Sequence, residues 1–147
     1  MSFRERTAWI TLATILICLG IYYGAIISGL VAFNTWNAFH LALVSLAALA
    51  LLQVVLNLAA SVLNPKDART PRDERERMIH ARSHIVGYYV LMLGLAGLLV
   101  STHIPINVRE QDVLEVVVRT VNLGMLVMAA AAISVAVAQI VMYRRGY

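Results

Sequence analysis

Residues 8–31 and 39–63 contain no Asp, Glu, Lys or Arg. Each run is long enough to cross a bilayer, because about 20 helical residues span a hydrocarbon core of roughly 30 Å. Two further apolar runs, 85–101 and 116–143, complete a set of four, the last with Arg119 near its start. The chain of 147 residues is 61% apolar and 14% charged, whereas a soluble domain is typically about 45–50% apolar. Lipid is the solvent that such a surface requires. The sequence therefore predicts an all-α, transmembrane four-helix bundle, a single integral membrane domain over residues 1–147. The first run is longer than the ~7–15 residues of a signal-peptide core and no Ala-x-Ala-like site follows it, so its helix is expected to stay.

Charge placement predicts the orientation. Arg4 and Arg6 precede the first run. Lys66, Arg69, Arg72, Arg75, Arg77 and Arg82 lie between the second and the third, and Arg144 and Arg145 follow the fourth. Ten of the twelve basic residues thus fall on one side, leaving Arg109 and Arg119 for the other. The positive-inside rule places both termini and the charged loop in the cytoplasm. Trp9 and Trp36 fall at opposite ends of the first run, where an aromatic belt would hold them. The basic residues flank apolar runs instead of forming a separate face, so nucleic acid is not an expected partner.

Residues 70–91, TPRDERERMIHARSHIVGYYVL, begin like a soluble helix and end like a membrane span. Thr70 is a suitable N-cap, Pro71 fits the first helical position, and Asp73 and Glu74 suit the positive end of a helix. A helix from there to Ser101 is longer than the bilayer core requires, so the third helix is expected to extend about three turns into the cytoplasm. Asp73 with Arg77, and Glu76 with His80, have the i,i+4 spacing that supports such turns. Asp112 and Glu115 have the spacing of a capping box before the fourth run.

Helices in lipid associate through close backbone approach and interhelical hydrogen bonds. Gly20, Gly24 and Ser28 in the first run, Gly87, Gly94 and Gly97 in the third, and the alanine-rich fourth run are candidate contact surfaces. Gln53, Asn57, Asn122 and Gln139 are read as interhelical hydrogen-bonding groups, with a polar pathway as the alternative.

Chemistry has few supports. No Asp, Glu or Lys falls near the centre of a run, as a proton-coupled carrier would need. The single cysteine, Cys18, reads as a small apolar filler, and no C-x-x-C, P-loop, nucleophile-elbow or zinc-protease pattern is present. The reading is therefore non-enzymatic, with no cofactor required. His40 and His103 begin the second run and end the third, and on neighbouring helices could ligate a haem iron. His80 and His84, four apart, could hold a divalent ion, with Glu76 one turn earlier. Tyr22, Tyr23, Tyr88 and Tyr89 read as packing anchors with a hydrogen-bonding tip, or as the lining of a quinone or haem pocket.

Asp73, Glu74, Arg75, Glu76 and Arg77, followed by Tyr88 and Tyr89, resemble a signature of uncharacterised small prokaryotic four-span integral membrane proteins. In these, an Asp-Glu-Arg-Asp/Glu-Arg element precedes the third span. The resemblance covers about one seventh of the chain. It implies the same architecture and a prokaryotic cytoplasmic (inner) membrane, and some of these proteins look like companions of other membrane or regulatory proteins. The leading expectation is a multi-pass accessory or regulatory protein. It would contact lipid and either a protein partner or a second copy, docking through Arg72, Asp73, Glu74, Arg75, Glu76 and Arg77. The alternative is a b-type haem- or quinone-linked electron-transfer subunit using His40 and His103.

Overall fold

The computed structural model describes residues 3–32, 36–65, 71, 73–103 and 113–145, with the side chains of 102, 103, 114 and 115 left out of the description. These residues form four helices: α1 (Phe3–Ile27), α2 (Trp36–Leu63), α3 (Glu74–His103) and α4 (Val113–Arg145). All four are long and apolar enough to cross a membrane. They run alternately up and down, so that the start of α1, the end of α2, the start of α3 and the end of α4 meet at one end.

Helix boundaries follow local chemistry. α1 takes in Arg4, Glu5 and Arg6, and it stops at Ile27, short of the expected residue 31. Gly29 adopts φ +76° there, a left-handed conformation that costs glycine little and turns the chain out of the helix. α3 begins at Glu74, later than a Thr70 cap would place it. Asp73 is the cap instead: its Oδ1 accepts the Glu76 amide at 2.6 Å. Thr70 and the Asp112–Glu115 capping box lie outside what the structure describes.

α3 is one unbroken rod of 30 residues, about 45 Å at 1.5 Å per residue, longer than the hydrocarbon core. Its first turns do not stand apart from the bundle. Ile79 and Ser83 are fully buried, and Glu76 is joined to α1.

α4 is the hub. It packs along α3, α1 and α2, and α1 also packs along α2. Among the described residues, consecutive helices α2 and α3 do not pack along each other. The core at the α1–α2–α4 junction is Tyr22, Ala42 and Met125, surrounded by Leu19, Tyr23, Ile26, Leu41, Leu46 and Val121. The α3–α4 seam is closer. A Cβ on Gly87 would lie 2.2 Å from Val135 Cγ2, and one on Gly94 2.5 Å from Val127 Cγ1. Each valine fills the hollow that a glycine leaves, the close approach that helix association in lipid favours.

The other glycine series behaves differently. Gly20, Gly24 and Gly97 have nothing within 4 Å of a built Cβ, and Gly20 and Gly24 are exposed. The expected contact surface of α1 at Gly20, Gly24 and Ser28 is therefore not used among the described residues. The buried positions instead include small residues such as Ala8, Ala38 and Ala42 and larger ones such as Tyr22, Ile79 and Val118. Leucines and valines on α2 and α3 point outward, as a lipid-facing surface requires.

Candidate functional site

The first turn of α1 reads Arg4-Glu5-Arg6, and successive helical residues point about 100° apart. Each side chain therefore reaches a different helix. Arg4 Nε lies 2.7 Å from Glu76 Oε2 on α3. Arg144 Nε on α4 donates to Glu5 Oε1 at 3.4 Å. Arg6 Nη2 donates to Asn64 Oδ1, just past α2, at 3.4 Å. One helical turn thus ties all four helices together at the charged end. The Arg144 guanidinium also sits 5.4 Å above the Trp9 ring, a cation–π distance.

The Arg4–Glu76 pair is the better shielded, with both side chains 21% exposed, whereas Arg144 is 64% exposed and its pair is weaker. Glu76→Arg places two cations together and is expected to destabilise the bundle by about 1 kcal/mol. Adding Arg4→Glu to that variant should restore most of the loss. Chemical unfolding in a mild detergent measures both steps, and a double variant no better than the single one would refute the pairing.

A cavity of about 160 Å³ opens beside this clasp, lined by Arg4, Thr7, Glu76, His80, Gln139 and Tyr143. Its walls come from α1, α3 and α4. Gln139 Nε2 donates to Ser83 Oγ at 3.2 Å, and Ser83 Oγ donates to the His80 carbonyl at 2.8 Å. Thr7 Oγ1 donates to the Arg4 carbonyl at 2.8 Å. These bonds hold the lining side chains in place at the level where α3 changes from charged to apolar.

The expected histidine pair does form on α3. The rings of His80 and His84 meet edge to face, 4.3 Å between centroids. Glu76, the nearest candidate third ligand, is paired with Arg4. Among the described residues, no group of three His, Cys, Asp or Glu side chains is placed to share a metal ion.

His40 is exposed, and its Nδ1 donates to the Trp36 carbonyl one turn back at 2.7 Å. His103 ends α3, with its side chain outside the described residues. Among the described residues α2 and α3 do not pack along each other. Tyr88 and Tyr89 point outward, whereas Tyr22 is fully buried.

Of the residues expected to dock a partner, Asp73, Glu74, Arg75 and Arg77 are exposed. Glu76 faces inward, and Arg72 lies outside the described residues.

Three of the four Asn and Gln residues inside the spans bond across helices. Gln53 Nε2 donates to Thr11 Oγ1, Gln139 to Ser83, and Asn122 Oδ1 accepts the Tyr22 hydroxyl. Tyr23 donates to the Asn122 carbonyl at 3.1 Å. The fourth, Asn57, has a buried Oδ1 without a hydrogen-bond partner among the described residues, as does the Gln53 Oε1 one turn earlier.

The clasp was not foreseen from the sequence. Its signal was there: Arg-Glu-Arg alternates sign at a helix entry, and opposite charges occur at helix ends predicted to lie on the same side. No known protein family, curated protein or solved structure matches the chain.

Proposed function

We propose that this chain is a multi-pass protein of a prokaryotic cytoplasmic membrane, with both termini in the cytoplasm. In this reading it is an accessory or regulatory subunit that docks another protein, or a second copy of itself, through the start of α3. The observation that carries the reading is the division of labour in Asp73–Arg77. Glu76 turns into the bundle and pins the helix to α1, while Asp73, Glu74, Arg75 and Arg77 face solvent. The inward ion pair is thereby separated from exposed side chains of both charge signs on the same turns. The bias of ten basic residues to this end supports a cytoplasmic position.

Orientation is tested with Cys18→Ala carrying Arg75→Cys. A membrane-impermeant thiol reagent should label that cysteine in inverted vesicles and not in intact cells. Docking is tested by Arg75→Glu with Arg77→Glu. The double reversal should abolish crosslinks formed from this face at native expression and leave the unfolding midpoint unchanged. Crosslinks that survive the reversal would overturn the docking reading, and labelling from outside the cell would overturn the orientation.

A further inference from the structure

We infer that the cavity between α1, α3 and α4 binds a compact zwitterion, an ammonium linked to a phosphate, of the kind carried by an ethanolamine phospholipid headgroup. Its wall holds one cation and one anion, Arg4 and Glu76, already paired at 2.7 Å. A lone anion entering the cavity would be attracted by Arg4 and repelled by Glu76, and a lone cation the reverse. A group carrying both charges a few bonds apart meets both with the right sign, through charge-assisted hydrogen bonds.

The rest of the lining fits the same chemistry. Thr7, His80, Gln139 and Tyr143 offer groups that donate and groups that accept, from three different helices. The space of about 160 Å³ is well above the minimum for a single water and opens to the outside. That suits a small headgroup.

Position selects the occupant. The fully buried Ile79 and Ser83 lie beside the cavity, and outward-facing Ile85 and Val86 begin just beyond them along α3. Trp9, of the type found at membrane interfaces, sits at the same end under Arg144. A polar cavity at this boundary faces lipid headgroups at high local concentration. The same chemistry could also come from soluble phosphoethanolamine.

The test uses the full chain in a mild non-ionic detergent, with native mass spectrometry to count bound molecules. Phosphatidylethanolamine, phosphatidylglycerol and soluble phosphoethanolamine are each added alone. One phosphatidylethanolamine per chain should be retained in preference to phosphatidylglycerol. Thr7→Leu, which puts an apolar group into the cavity wall, and the near-isosteric Gln139→Met should each weaken retention about tenfold, the equivalent of one charge-assisted hydrogen bond.

Binding of the lipid but not of soluble phosphoethanolamine assigns the site to the membrane, and equal binding of both assigns it to the soluble compound. Either result supports a zwitterion site. Equal retention of phosphatidylglycerol and phosphatidylethanolamine by the unaltered protein would overturn the inference, as would undiminished retention in the folded variants. The lipid comparison needs no variant, so it stands even if a substitution prevents folding.

Discussion

Replacing Gly87 with alanine should loosen α3 from α4, and replacing it with leucine should detach the two. The added Cβ would lie 2.2 Å from Val135 Cγ2 and 3.3 Å from the Ala131 carbonyl oxygen. Turning the valine relieves the first contact, while the second is with backbone and persists. Overpacking of this kind typically costs about 1–3 kcal/mol, and the larger side chain belongs at the upper end.

Two companions make the prediction specific. Gly87→Ala with Val135→Ala should recover much of the loss, since the two positions share one contact. Gly97→Ala meets nothing within 4 Å and should be neutral or stabilising by up to about 1 kcal/mol, from helix propensity alone. Unfolding midpoints in detergent for the four proteins settle the matter. Equal effects at Gly87 and Gly97 would show that the seam is not as tight as described.

Asn122→Leu should destabilise the opposite side of α4. Asn122 is 3% exposed and Tyr22 is fully buried, and the tyrosine hydroxyl donates to Asn122 Oδ1. The asparagine Nδ2 donates in turn to the Val118 carbonyl at 2.7 Å. Removing the side chain leaves a buried hydroxyl without its acceptor, a loss of about 1–2 kcal/mol. Tyr22→Phe in the same chain should cost less than it does alone, because the group it removes is already unpartnered. Strictly additive losses in the double-mutant cycle would refute the bond.

The spans were legible because lipid imposes a simple rule, and long runs without charge satisfy it. Their ends were less so. Thr70 and Asp73 are both good N-caps, and the geometry favours Asp73, whose carboxylate receives the Glu76 amide. The first helix looked continuous through Gly29 because nothing in the residue itself says whether its φ will be positive.

Neighbour relations were harder still. Gly20–Gly24 and Gly87–Gly94 carry the same message in sequence, that a helix can approach closely there. Only the second pair is used among the described residues, because Val127 and Val135 face it. Adjacency in sequence does not make α2 and α3 packing partners, since α4 takes the place next to α3. Gln53, Asn122 and Gln139 were read correctly as bonding groups, but their partners Thr11, Tyr22 and Ser83 came only with the structure.

That α3 leans on α4, the last helix, bears on how the protein is made. Synthesis proceeds from the N-terminus, so α1 and α2 can pair as soon as both have emerged. α3 then leaves the ribosome with its long partner not yet synthesised. Until α4 follows, the Arg4–Glu76 contact to α1 is available to hold it. The last two helices should therefore settle into the bilayer together, as a hairpin added to a finished pair, and a chain truncated before Val113 should leave α3 the first segment open to proteolysis.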